Sequence, residues 1–216
     1  MQNHAFQTSH AMEAYRVSRD LWDTPVFESR SFVALPTVGA LVEGWLLVVP
    51  RTPALSYAGI TAELFREFEM FLEEVALRVQ SVYGPVSIFE HGPSRVASTV
   101  GCGVDYAHFH VVPTPCDLLT GAQQIAPNVV WRKVSSVKNI RELKNSPNGY
   151  WFLQQMHGSS SSYIGSCTDE NAPSQLFRRV IASHLGIPSA YDWKTASGES
   201  LIASTVEKLT HTLIPA

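Results

Sequence analysis

Leu64, Phe68, Phe71, Leu72, Val75, Val79 and Val82 recur at spacings of three and four, with Glu67, Glu73, Glu74 and Arg78 between them. That is the signature of an amphipathic helix with one apolar stripe. Thr61 and Glu63 open it and Gly84-Pro85 closes it, by the usual start and stop chemistry. Such a stripe needs a flat apolar partner, and the flanking segments supply strands. Ser31–Leu35 is β-rich and stops at Pro36, and Gly44–Pro50 is a continuous apolar run that suits a strand buried on both faces. With the Val38–Glu43 turn region between them, they predict a hairpin. Val86–Glu90, Val104–Val112, Val129–Val134 and Tyr150–Gln154 read as further strands, and His91–Gly103 and the serine run Ser159–Ser162 read as loops. Ser174 is expected to cap a helix running through His184, closed by Gly186 and Pro188, and a last helix is expected over Glu199–Leu213. The weak period from Met12 to Trp22 predicts a short helix or arm. Sheet, long helix, sheet and then helices is an α+β order. The expected division is an arm over residues 1–28, a core over 29–120, and a C-terminal extension over 121–216 packed on that core.

Composition narrows the function classes. The 216 residues are 45% hydrophobic and 16% charged, with a formal net charge of −3. A net-negative chain has no global field to hold a nucleic-acid backbone, so general nucleic-acid binding is not expected. No apolar run reaches the roughly 18–20 residues of a membrane span. Met1–His10 is polar, without a basic segment followed by an apolar one, which predicts no secretion signal and a cytoplasmic location. Cys102, Cys116 and Cys167 form no Cys-x-x-Cys pair, so reduced thiols are expected, not a disulfide framework or a cysteine zinc site.

The informative segment is Asp105-Tyr-Ala-His-Phe-His-Val-Val-Pro113. Alternation along a strand puts Tyr106, His108 and His110 on one face and Ala107, Phe109 and Val111 on the other. The glycine- and hydroxyl-rich stretch Gly92–Gly103 leads into it, and loops of that kind present backbone N–H groups to anions. Three readings of the two histidines stand: a solvated pair on a strand, a metal-ligand pair, and an imidazole nucleophile with a neighbour holding the phosphate it attacks.

Tyr106-Ala-His108-Phe-His110-Val-Val-Pro113 resembles the motif of the histidine triad (HIT) superfamily of nucleotide hydrolases and transferases, which is His-x-His-x-His, two apolar residues and a nearby proline. The upstream order is similar too: the Phe32–Leu35 and Trp45–Pro50 segments, the 61–82 helix, then Phe89-Glu-His-Gly-Pro93. The resemblance covers roughly residues 29–115. Ser174–Ile181 and Asp192-Trp193 resemble, less specifically, the C-terminal extension of some bacterial HIT-like proteins.

The resemblance implies an antiparallel sheet with a long helix on one face, joined into a homodimer. It implies attack by His108 on the α-phosphorus of a nucleoside phosphate, with His110 holding the phosphate and a covalent nucleotidyl-histidine as intermediate. Dinucleoside polyphosphates, phosphoramidates and nucleotide sugars are the substrates it suggests. Histidine at position 110 favours the hydrolase-like branches, since the uridylyltransferase-like branch has glutamine there. Tyr106 departs from the pattern, replacing the first histidine of the motif; a phenol can still donate a hydrogen bond. The alternative is a catalytically weak or inactive nucleotide-binding protein. Ser98, Thr99, Glu90 and His91 are the expected phosphate contacts, with Glu90 paired to Arg95 and His91 on the loop surface as the plainer readings. Phe32 and Leu35 are candidates to sandwich the base, with ordinary core as the plainer reading. The acidic residue that holds the ribose in several HIT proteins is missing near Pro36-Thr37. No protein metal cage and no tightly bound cofactor is expected; Mg²⁺ would come with the substrate. Gln175, Arg178 and Arg179 fall on one predicted helix, and they and Lys194 read as solvated helix face, with a polyphosphate contact as the alternative. Trp131, Trp151 and Trp193 read as packing residues.

Overall fold

A computed structural model describes residues 24–166, 172–195 and 198–211. The Met12–Trp22 segment and Cys167 lie outside the described residues. Eight strands form one sheet: β1 (Phe27–Glu28), β2 (Phe32–Pro36), β3 (Leu46–Pro50), β4 (Val86–Gly92), β5 (Phe109–Pro113), β6 (Val130–Val134), β7 (Tyr150–His157) and β8 (Ser159–Ser166). Their order across it is β1-β2-β3-β5-β4-β7-β8-β6, and every pairing is antiparallel. Among the described residues four α-helices accompany it: α1 (Ala62–Tyr83), α2 (Leu118–Ile125), α3 (Leu176–His184) and α4 (Glu199–His211). This is the α+β architecture that the pattern of apolar positions predicts.

Helix α1 forms where the stripe places it. The Thr61 hydroxyl accepts the Leu64 N–H at 3.3 Å, satisfying one of the donors left open at a helix start. The buried positions are Phe65, Phe68, Phe71, Leu72, Val75, Ala76 and Val79. They press on one face of the sheet, against Phe32, Val48, Val86, Ile88, Phe109, Val111, Phe152 and Ile164.

The opposite face is covered as well. Trp45, Phe89, Val112, Trp151 and Leu153 pack there against Leu118 and Ala122 of α2 and Leu176, Phe177, Val180 and Ile181 of α3. The molecule therefore has a helix layer on each side of the sheet. Strand β7 pairs with β4 along its whole length, so the sheet continues without a break through residues beyond 120, and those same residues supply the second helix layer.

Several expectations change. Ser159–Ser162 is not a loop but the start of β8, paired to β7 on one side and β6 on the other. Serine is a weak strand former, and the ladder to β7 along the whole run, joined by β6 from Ser162 onward, overrides that preference. The strand expected from Val104 begins only at Phe109, because the Ala107 N–H is given to the Ala54 carbonyl at 2.7 Å and the Val104 N–H to Gly101. Ser174 is not the cap of α3; Gln175 occupies that place in a left-handed conformation, φ 56°. Helix α2 was not expected, and Asp117 caps it by accepting the Thr120 N–H at 3.1 Å.

Gly44, at φ +80°, makes the entry into β3. A Cβ there would lie 2.6 Å from the Tyr83 ring and 2.8 Å from Pro113, and its N–H donates to the Thr205 hydroxyl of α4 at 2.8 Å. Gly44→Ala is expected to cost about 1–3 kcal/mol, read as a lowered urea midpoint with an unchanged slope.

Candidate active site

The face under α2 and α3 carries the histidines. Phe89 of β4 lies opposite His110 of β5, and their rings stack with centroids 4.4 Å apart. Continuing the ladder one residue past the Glu90–Phe109 pair brings His91 alongside His108. The His108 and His110 rings are 4.9 Å apart at 70°, and those of His91 and His110 are 5.9 Å apart. His110 and His91 are buried, while His108 is partly exposed. The three form a cluster with one member reaching solvent.

Their hydrogen bonds set complementary tautomers. Nδ1 of His108 lies 2.7 Å from the Tyr106 carbonyl oxygen. A carbonyl only accepts, so Nδ1 carries the proton and Nε2 keeps its lone pair. In His110 the order is reversed. The Trp45 indole N–H points at His110 Nδ1, 3.0 Å away. An indole nitrogen only donates, so Nδ1 is the acceptor and Nε2 carries the hydrogen. The pair thus presents one nucleophilic nitrogen beside one N–H donor. Burial lowers the pKa of His108 below the ordinary histidine range and that of His110 well below it; nearby His108, His91 and Arg178 lower His110 further. Both rings are neutral at pH 7, as these tautomers require.

Tyr106 does not stand on a strand face with the histidines. Its hydroxyl donates to the Pro50 carbonyl at 2.6 Å, which pins the backbone whose carbonyl orients His108. The orientation of the His108 ring comes from the main chain, so a tyrosine side chain in this place does not remove it.

Glu90 touches neither this face nor Arg95. Alternation turns it to the α1 side of the sheet. There it is fully buried, accepting the Tyr57 N–H at 2.8 Å and the Tyr150 hydroxyl at 2.5 Å. Burial raises its pKa to about 8, so at neutral pH it is largely the uncharged acid. His91 is not a surface residue: burial, with the charge of Arg178 and the neighbouring His108, drives its pKa down to about 3. Its Nε2 has no hydrogen-bond partner within the protein, nor have the indole nitrogens of Trp151 and Trp131. Trp151 lies opposite His91 in the sheet, so the row continues away from His108 under Phe177.

Phe32 and Leu35 do not form the two walls of one slot. Phe32 is core on the α1 face, against Tyr57, Phe68 and Phe71. Leu35 lies on the histidine face, paired to Leu47, which in turn pairs with His110. The loop before the site uses much of its own hydrogen bonding. The Ser98 hydroxyl accepts the Val100 N–H at 3.3 Å, Ala97 N–H goes to Asp105, and Cys102 N–H to Thr99. Thr99 is exposed. Cys102 is a free thiol, raised to about 11 by burial.

Arg178 is not on a solvated helix face. It is buried, its guanidinium 5.0 Å from the Trp45 ring centre and bonded to the Tyr191 and Gly39 carbonyls, each at 2.7 Å. Arg179 points away and stacks on Tyr191 at 3.7 Å. Gln175 is buried and bridges Asp192 and the Trp193 N–H, while Lys194 is exposed. Trp45 is the site residue to which the sequence alone assigns no role, and Arg178, expected on a solvated helix face or against a polyphosphate, is instead buried over it. Trp45 is one member of an apolar run, and its target lies 65 residues away. Trp45→Phe keeps the packing and removes the donor. We expect turnover to fall about tenfold, the size of one buried hydrogen bond, with substrate affinity little changed.

Among the described residues no three His, Cys, Asp or Glu side chains are arranged to hold a metal ion, and no helix is long and apolar enough to cross a membrane. A cavity of about 370 Å³ lies at the end of the sheet between Pro50, Thr52, Ser56, Ser94, Lys144 and Tyr150; none of the three histidines lines it.

No protein-family model matches the sequence, and no curated relative matches it. Two solved structures are similar over 42% of this chain: a HIT-like protein involved in cell-cycle regulation from Bartonella henselae, at 16% identity and a TM-score of 0.37, and a hypothetical histidine triad nucleotide-binding protein from Sulfolobus tokodaii, at 20% identity and 0.32. The match spans 66% and 59% of those proteins, less than two thirds of either. The likeness is one of fold, over fewer than half of this protein's residues.

Proposed function

We propose that this protein is a HIT-like nucleotide hydrolase or nucleotidyltransferase acting at the α-phosphate of a nucleoside phosphate. The observation that carries the reading is the paired tautomers: a bare Nε2 on His108 beside an Nε2–H on His110. His108 Nε2 attacks the α-phosphorus, a P–N bond forms, and the bond to the leaving group breaks with its electron pair on that group, a phosphate oxygen departing as the anion and a nitrogen departing as the amine after taking a proton from solvent. His110 Nε2–H donates to a phosphoryl oxygen as charge builds there. The positive charge that develops on His108 is stabilised through Nδ1–H by the Tyr106 carbonyl. Water, or another acceptor, then attacks phosphorus and releases a proton to solvent; the P–N bond breaks with its electron pair on nitrogen and the neutral imidazole returns. The buried Arg178 cation lies behind the cluster and favours an anionic ligand in front of it. Leu35 and Leu47 give an apolar shelf for the base. A magnesium ion, where the substrate is a polyphosphate, arrives bound to it. A cytoplasmic homodimer belongs to the same proposal, read by light scattering of the purified protein.

The test is intact-protein mass spectrometry at neutral pH after brief mixing with diadenosine polyphosphates, ADP, GDP, UDP-sugars and adenosine phosphoramidate. Free nucleoside monophosphate is followed in the same samples. An added nucleotidyl mass or nucleotide release that disappears in His108→Ala supports the reading. Nucleotide binding with neither signal across the panel overturns it in favour of a non-catalytic binding protein.

A further inference from the structure

A chain of contacts leads from the C-terminal helix layer to the histidine pair. Arg178 is buried on α3, and a buried cation must be held by polar or aromatic groups. The Tyr191 carbonyl receives its Nε–H, and the Gly39 carbonyl, in the turn that precedes Trp45, receives one N–H of the fork. The plane between them lies over the Trp45 ring. Trp45 meets Phe89 edge-on, with centroids 6.1 Å apart. Held between them, the indole aims its N–H at His110 Nδ1. Among the described residues the hydrogen bond to the His110 ring comes from Trp45, and the ring's contacts with Phe89, His91 and His108 are face or edge contacts.

We propose that Arg178 is a positioning residue, which by clamping Trp45 sets the tautomer of His110 and so makes its Nε2–H available to the phosphoryl group. The inference rests on the proposed role of His110, but it predicts a property of the resting protein that needs no substrate. It also gives α3 a part in the site, since the helix that covers the histidine face carries the clamp. Lysine at 178 would keep the charge and lose the planar fork that holds two carbonyls and a ring face together.

The experiment is long-range proton–nitrogen NMR of the imidazole rings in the full chain, with wild type, Arg178→Met, Arg178→Lys and Trp45→Phe compared. In the wild type, His110 should show a protonated Nε2 and a bare Nδ1. In Trp45→Phe and Arg178→Met it should move to a mixture of the two tautomers, while His108, held by the Tyr106 carbonyl, keeps its own pattern. Arg178→Lys should shift in the same direction by less, and serves if the methionine variant does not fold. In Trp45→Phe and Arg178→Lys kcat should fall about threefold to tenfold with KM nearly constant, whereas in Arg178→Met, which also loses the positive charge, KM should rise as well. A wild-type His110 pattern in any folded Arg178 variant overturns the inference. The nitrogen spectrum reads the clamp and the nucleotidyl adduct of the wild type reads the function, so either can fail without the other.

Discussion

Replacing His108 by glutamine is expected to lower nucleotide turnover by about 10⁴-fold, near 5.5 kcal/mol of barrier, while nucleotide affinity changes by less than about threefold. The size follows from the chemistry. Glutamine can occupy the space beside the Tyr106 carbonyl, yet its amide nitrogen has no available lone pair for phosphorus. The covalent step is then removed, not slowed. On the proposed reading ground-state binding would rest on other groups: the apolar shelf of Leu35 and Leu47 and the field of Arg178. Binding titration and turnover on the same preparation separate the two. Turnover within tenfold of the wild type would show that phosphorus is attacked by something other than His108.

The second large effect is on stability, and it comes from Glu90. Removing this side chain, as in Glu90→Ala, leaves the Tyr57 N–H and the Tyr150 hydroxyl buried without their acceptor. Each such group costs about 1–3 kcal/mol, so a loss of about 4 kcal/mol is expected in urea unfolding. Glu90→Gln should be milder, because the amide oxygen keeps an acceptor for the Tyr57 N–H and only the Tyr150 hydroxyl has to reorient. The two substitutions also differ in pH dependence. The folded pKa of Glu90 is raised to about 8 from an ordinary 4.5. Between those values the folded state holds a proton that the unfolded chain has released. The stability Glu90 contributes is therefore full below pH 4.5 and is lost as pH rises towards 8, by up to about 1.4 kcal/mol per pH unit. The histidines work in the opposite sense. His91, His108 and His110 have lowered pKa values, so the unfolded chain binds protons first and stability falls as pH drops through about 6.5. Unfolding at pH 6, 7, 8 and 9 in wild type and Glu90→Gln isolates the carboxyl, since the histidine contribution is common to both. The wild-type curve should fall relative to the glutamine variant up to pH 8 and run parallel to it above. Parallel curves throughout would mean that Glu90 is already ionised when folded.

What the sequence by itself determined is whatever is encoded by local period and local chemistry. The stripe from Leu64 to Val82 specified α1 and its caps, and the apolar runs specified β2, β3, β4 and β6, because a period of 3.6 or 2 is written into adjacent residues. The same locality put His108 and His110 side by side, while their reading as nucleophile and phosphate holder came from the resemblance to the HIT motif. Tertiary structure decided what depends on partners far along the chain. Ser159–Ser162 became a strand because β7 offers it a ladder along its whole length, with β6 joining at Ser162. The segment before Phe109 left the sheet because Ala54 took its Ala107 N–H. Glu90 went to the α1 face, and Phe32 and Leu35 parted to opposite sides, because alternation sends neighbours or odd separations apart once the register is set. The tautomer of His110 was decided by Trp45, and the place of Trp45 by Arg178, 133 positions further on. Burial, direction and hydrogen-bond partner are properties of the folded neighbourhood, and no local pattern in this chain carries them.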